Sequence, residues 1–351
     1  MKTLSNLPKQ RLFWPVVALL ALLLGDLIAH PAFFAIELRD GHLYGNLIDI
    51  LKNGAPLILI AIGMTLVVAT RGIDLSVGAV VAISGALACL HISGLGDQNS
   101  VGGTLAAVGM ALGLAIALGA WNGWLVAVLG IQPIIATLIL MVAGRGIAQL
   151  ITGGQIITIN SGPYEWIGSG FTFGLPSAIL LALAVFAIAA VLVRRSALGL
   201  LVEAVGGNPE AGRLAGLRST RLIWLTYVFC ALCAGIAGLM ISANVHSADG
   251  NNAGQFIELD AILAIVIGGT QLTGGRFSLT GSVIGALLIQ TLTTTVYALG
   301  IAPQAIMLFK ALVVLAVCLL QSPAFRKKFG RRRKPAAVAP VAQPEKVEAA
   351  V

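Results

Sequence analysis

The sequence predicts an all-α polytopic membrane protein with about ten transmembrane helices. Three observations carry that prediction. Of its 351 residues, 58% are hydrophobic and 10% are charged, with a mean hydropathy of +0.96. Charge this sparse cannot clothe a water-soluble particle, whose charged share is usually about 25%. The charged positions also cluster, leaving apolar runs of about 20 residues, the length that crosses the hydrocarbon layer as a helix. Finally, the basic residues gather in three places: Lys2, Lys9 and Arg11; the centre, with Arg194, Arg195, Arg213, Arg218 and Arg221; and residues 326–334. Such clustering is the positive-inside signature that orients a membrane protein. The net charge of +8 therefore points to topology, not to nucleic acid: the basic run Arg331-Arg332-Arg333-Lys334 has no interleaved aromatic residues.

Hydropathy places ten spans at 13–29, 47–70, 75–92, 103–129, 133–152, 176–193, 222–242, 258–270, 278–298 and 304–321. The first follows basic residues as a signal peptide would, but no small-residue cleavage site follows, and Asp26, His30 and Pro31 end the run. It reads as an uncleaved span. An even number of crossings puts both termini on one side, and the central basic cluster falls on that side too. All three clusters then agree on a cytoplasmic N-terminus (1–12), a membrane domain (13–322) with a cytoplasmic loop at 194–221, and a basic, then disordered, cytoplasmic tail (323–351). The loops of the opposite face are short and rich in Gly, Asn, Ser and Thr.

The chain has 42 glycines. In lipid, close backbone approach at small residues replaces the hydrophobic effect in holding helices together, and Gly119/Gly123 and Gly281/Gly285 have the GxxxG spacing for it. Chance spacing in so Gly-rich a chain is the competing reading. Cys230 and Cys233 form a CxxC inside an apolar segment, where small packing residues are the simpler reading than a redox pair. The eighth span is short and ends in Gly268-Gly269-Thr270-Gln271, with Thr273-Gly274-Gly275-Arg276 beyond; Thr70-Arg71-Gly72-Ile73-Asp74-Leu75-Ser76 forms a related break in the first half. Gly-broken segments in both halves hint at an internally repeated transporter fold.

Enzymatic chemistry finds little support. There is no GxxxxGK(S/T) phosphate loop, no HExxH, no GxSxG and no His-rich cluster. Polar groups at membrane depth are costly, and each calls for a reason. Asp74 and Ser76 suit the start of a helix, with Asp74 pairing Arg71; a pathway or gating role for both is the alternative. Glu258 and Asp260 suit a first helical turn, where the helix dipole favours negative charge, and stand with Asp74 and Ser76 as candidates for a pathway or gating role. Arg145 needs a carboxylate or carbonyl partner. Asn122, Gln132, Gln149 and Gln290 either hydrogen-bond across helices or line a hydrophilic route, and Thr270 joins the candidates for that route.

The stretch 198–222, LGLLVEAVGGNPEAGRLAGLRSTRL, is a polar, Gly-punctuated island between apolar segments. Glu203, Ala204 and Gly206-Gly207 read as a turn leading into a short helix. Asn208 is its N-cap, Pro209 takes the first helical position and Glu210 supplies an acidic first turn. Ala211, Leu214, Ala215 and Leu217 fall largely on one face at helical spacing, with Arg213 and Gly216 completing the unit. It is either a solvated interfacial loop or a knob presented to a cytoplasmic partner.

At this point a family resemblance is specific. The stretches IGMTLVVATRGIDLSVGAVVAISGA (62–86), WNGWLVAVLGIQPIIATLILMVAGRGIAQLIT (121–152), LGLLVEAVGGNPEAGRLAG (198–216) and NNAGQFIELDAILAIVIGGTQLTGGRFSL (251–279) resemble the monosaccharide permeases of the ribose, arabinose and xylose type. These are membrane subunits of bacterial ABC importers. The resemblance spans 47–321 and is nearest to galactofuranose-type permeases at AGRGIAQLITGGQIIT and at Asp249-Gly250-Asn251-Asn252-Ala253. It implies an importer-type ABC transmembrane domain in the bacterial inner membrane that binds no cofactor of its own. It further implies a partner ATPase with two nucleotide-binding domains that uses ATP and Mg, a periplasmic sugar-binding protein, and a second permease, identical or paralogous. The segment with Glu203, Ala204 and 206–216 is then the element that docks on the ATPase. One departure stands at Arg71, where the family usually has the first of two glycines before Ile-Asp-Leu-Ser. Arginine adopts positive φ poorly, which bears on whether this turn keeps the usual backbone geometry. The rival readings are a secondary sugar transporter or facilitator that needs no ATPase, a membrane enzyme acting on lipid-linked sugars, and a structural scaffold.

Overall fold

The computed structural model describes residues 12–29, 31–302 and 305–321. The first and last basic clusters and the tail lie outside the described residues. All ten apolar segments are helical: α1 (Phe13–Ala29), α2 (Asn46–Ala69), α3 (Val77–Ser93), α4 (Val101–Ala127), α5 (Pro133–Thr152), α7 (Ser177–Arg195), α10 (Ser219–Asn244), α11 (Ile257–Ile267), α12 (Leu279–Ala298) and α13 (Ile306–Gln321). Among the described residues there are three further, shorter α-helices, α6 (Gly162–Gly168), α8 (Leu198–Gly207) and α9 (Pro209–Leu214), and a 3-10 turn at Pro31–Phe34. Six of the helices, α2, α4, α5, α7, α10 and α12, are long and apolar enough to cross a membrane unaided. The other apolar helices are shorter, α11 with 11 residues, less than a straight helix needs for a full crossing; length and composition among the described residues thus support a polytopic helical protein without fixing the number of crossings at ten. Asp26 does not end the first run. It lies inside α1, buried, and accepts a hydrogen bond from Thr295 of α12 (2.8 Å).

Local chemistry starts and stops these helices. Ser100 and Ser278 cap α4 and α12, their hydroxyls accepting the Gly103 and Gly281 amides. Pro133 opens α5, and Gly153, at φ 59°, closes it in the left-handed conformation.

The centre is α2, wrapped by α10, α12, α7 and α11, while α10 also packs on α3 and α4. Glycine makes those contacts close. A Cβ at Gly63 would lie 2.8 Å from Cys230 Cα, so α2 and α10 touch backbone to backbone, and the CxxC is part of that packing. Both GxxxG pairs sit at helix contacts. Gly119 and Gly123 press α4 on α10, and Gly281 and Gly285 press α12 on Gly268 and on Ala264 of α11.

The two ends of the bundle differ. One carries small antiparallel strand pairs: β1 (Glu37–Arg39) with β2 (His42–Tyr44), β3 (Ile156–Thr158) with β6 (Ser247–Asp249), and β4 (Phe171–Thr172) with β5 (Leu175–Pro176). These strands were illegible in the loops; the β3–β6 pairing joins segments far apart in the chain. At the other end the turn after α2, the α8–α9 segment and the turn after α11 meet. Their contacts define the first candidate site.

Candidate functional site

The α8–α9 hairpin differs from its sequence reading in one respect. Glu203, Ala204, Gly206 and Gly207 form the second half of helix α8, not a turn. Buried Val202 and Val205 anchor that helix to the bundle, and packing of this kind outweighs the helix-breaking tendency of two glycines. The break comes one residue later, at Asn208, which is extended (φ −156°, ψ 100°) because Pro209 follows it. From there the reading holds. Asn208 Oδ1 accepts the Ala211 amide (3.1 Å), Pro209 starts α9, and Glu210 occupies the first turn. Gly216, at φ 81°, closes the end, its amide bonding the Arg213 carbonyl (3.0 Å). Gly212 is the buried contact, whereas Ala211, Leu214 and Ala215 point outward, Leu214 with 86% of its surface free. Leu200 and Ala204 of α8 are exposed as well.

The hairpin is held from behind by the turn after α2. A Cβ at Gly206 would sit 1.7 Å from the Ala69 carbonyl oxygen, so only glycine fits there. The Gly275 amide bonds that same Ala69 carbonyl (2.9 Å). Arg71 adopts φ 68°, the left-handed conformation a glycine would take, at a cost of about 1–2 kcal/mol for an L-residue. Its Nε donates to the Gly206 carbonyl (2.6 Å) and its Nη2 to that of Gly207. The expected Arg71–Asp74 pair is therefore not formed. Arg71 is exposed at the surface, whereas Asp74 is wholly buried.

Asp74, Ser76 and Asn122 form one buried chain. Asp74 Oδ1 accepts the Ser76 amide (3.0 Å) and hydroxyl (2.6 Å), and Asn122 Nδ2 of α4 donates to Ser76 Oγ (2.8 Å). Cys230 of α10 lies against the same carboxylate. One residue earlier, the Ile73 carbonyl accepts from Thr137 Oγ1 of α5 (3.2 Å). The turn 70–76 thus bonds α4, α5 and α8. Thr270, also buried, accepts the Ser278 amide (3.3 Å) and shapes the turn after α11.

The remaining candidates lie apart from this junction. Glu258 is buried in the first turn of α11 against Gly78 of α3, where a Cβ would meet its Oε2 at 2.3 Å. Asp260 pairs with Lys310 of α13 (2.6 Å). Lys310 was missed in the sequence, although a lone cation in IMLFKALVV signals a buried anion. Arg145 finds the carbonyl partner it needed, donating to Ala253 (2.5 Å). Beyond it, Asp249 folds the 249–253 loop, accepting the Asn251 and Asn252 amides and the Asn252 side chain. Partial desolvation works to raise its carboxyl, but those bonds and the Arg145 charge outweigh it and hold the pKa below the ordinary 3.8. Asp249 and Asn252, with Ser247 and Ser242, border a cavity of about 220 Å³ between α3 and α10. Gln149 is exposed on the outward face of α5, as is Gln132 at the start of that helix.

The chain matches, over residues 46–318, the family described as branched-chain amino acid transport system / permease component. It belongs to that permease family. It is 50% identical to the galactofuranose transporter permease of Escherichia coli (strain K12), over 92% of this chain and 94% of that one. The fructose import permease of Bifidobacterium longum is 39% identical over 91% and 90%. The ribose import permease of E. coli (strain K12) is 36% identical over 88% and 92%. No solved structure matches. Its relatives are transport permeases, and the chain is a permease subunit, not an enzyme. Membership in this family brings ATPase and substrate-binding partners in general and a multi-pass place in the bacterial membrane.

Proposed function

We propose that this permease forms, with a second permease subunit, the translocation route of an ATP-driven importer for a monosaccharide of the galactofuranose type. In this reading α8 and α9 dock on a cytoplasmic ATPase with two nucleotide-binding domains, both chain termini share that side, and the strand-bearing end meets a sugar-loaded periplasmic protein. The observation that carries it is the outward apolar face of α9 in a chain half identical to a galactofuranose transporter permease. An amphipathic helix whose buried contact is a glycine and whose leucine is free is built to fit a groove on another protein.

The polar candidates divide between two roles. Gln149, on the free face of α5, lines the route between the paired permeases. Asp74, Ser76, Asn122, Glu258, Asp260 and Thr270 hold the gating helices in register around it. ATP-driven closure of the partner subunits displaces α9 and, through it, the helices that open and close the route.

Reconstitution tests this directly. The complete system should take up galactofuranose only with ATP, the ATPase and the binding protein present. Deleting residues 208–217 should abolish uptake and co-purification of the ATPase while leaving the permease folded. Uptake driven by an ion gradient alone, with no ATPase, would reject the proposal in favour of a secondary transporter.

A further inference from the structure

We infer that Arg71 is a positioning residue for energy coupling: its guanidinium fastens the α8–α9 hairpin to the turn that distributes contacts to α4 and α5. The inference rests on the docking role proposed for α9. Its starting point is the backbone. Arg71 sits at φ 68°, a conformation that glycine adopts freely and arginine does not. A residue kept in strained geometry points to work done by its side chain. Here that work is visible. Nε and Nη2 reach the carbonyls of Gly206 and Gly207, the last two residues of α8. Helix-terminal carbonyls lack intrahelical partners and carry the negative end of the dipole, so a forked cation suits them. The next residue is Asn208, the N-cap of α9. A displacement of α9 therefore reaches Arg71 through two hydrogen bonds and one residue of backbone.

What lies behind Arg71 makes it more than a helix cap. Within five residues, the Ile73 carbonyl is bonded by Thr137 of α5, and Asp74 holds Ser76, which is bonded by Asn122 of α4. On the other flank, a Cβ at Gly274 would meet Arg71 Cγ at 2.3 Å, and the Gly275 amide bonds the Ala69 carbonyl. The Gly-broken turns of the two halves and the hairpin thus interlock around one side chain. Contiguous hydrogen-bonded contacts of this kind carry coupling between sites, and mutation within them measures it. Glycine at 71 would leave the backbone turn intact and remove the link to the hairpin; lysine would keep the charge but lose the planar fork.

The test is the ratio of sugar imported to ATP hydrolysed in proteoliposomes containing the whole transporter. Arg71→Gly and Arg71→Lys should both fold and co-purify with the ATPase. Hydrolysis should persist, while sugar delivered per ATP falls at least about fivefold, the lower range of allosteric coupling. Should Arg71→Gly fail to assemble, Arg71→Lys, which keeps the length and charge, decides. An unchanged ratio in a folded, ATPase-bound variant overturns the inference and leaves the docking role standing. Failure of the unaltered permease to bind the ATPase removes the docking role and the inference with it.

Discussion

Helices α2 and α5 are almost equally apolar, yet 83% of the residues in the most apolar stretch of α2 are buried in protein against 28% in that of α5. Helix α2 is the centre of the bundle, with Gly54 against Gln290 of α12 and Gly63 against Cys230 and Cys233 of α10. Helix α5 rests on α3 through Gly144 and leaves Ile135, Leu138, Ile139 and Val142 free. Hydropathy measures aversion to water and is indifferent to whether lipid or protein replaces it. The two helices differ in where their small residues let a neighbour approach.

The comparison can be broken most directly with paired glycine substitutions. Gly63→Leu, with backbone of α10 at 2.8 Å from its Cβ, should cost about 3 kcal/mol or more and prevent a stable bundle. Gly146→Leu in α5, where nothing lies within 4 Å, should leave the melting temperature in detergent unchanged. Equal losses in both would contradict the contrast.

An intermediate case is the ion pair between α11 and α13. Lys310→Met should destabilise by roughly 3 kcal/mol, because Asp260 is left with an uncompensated charge. Adding Asp260→Leu should restore most of the melting temperature. No recovery in the double variant would mean that the pair does not act as a unit.

The smallest effect is expected at the strand-bearing end of the bundle, where β6 and the 249–253 loop lie beside α5. The Asp249 carboxyl is held below its ordinary 3.8 in the folded loop, so its contribution is fully present above that value and is lost as pH falls through the lower, folded one. Proteolysis or labelling of the 249–253 loop should be flat from neutral pH to about 5 and rise below about 4. Asp249→Asn should remove that acid transition. A transition near neutrality would exclude Asp249 as its cause.

The apolar segments and their order were legible because hydrophobic length is a property of consecutive residues. The α9 cap was legible for the same reason: Asn208, Pro209 and Glu210 act on one another. The extent of α8 was not, since Val202 and Val205 hold Gly206 and Gly207 in helix through contacts with the bundle. Asp74 and Arg71 look like a pair in sequence, three residues apart. The left-handed turn at Arg71 sends one inward and the other to a hairpin 135 residues away.

The chain's composition and local order alone determined a helical membrane protein, the placement of its apolar segments and the capped helix in its central island, because each depends on neighbours in sequence. Tertiary structure decided which helix is enclosed and which is left to lipid or a partner. It also decided which carbonyls receive Arg71 and which anion meets Lys310. Those outcomes depend on backbones approaching closely enough for glycine alone to fit, and that distance is set only when distant segments pack together.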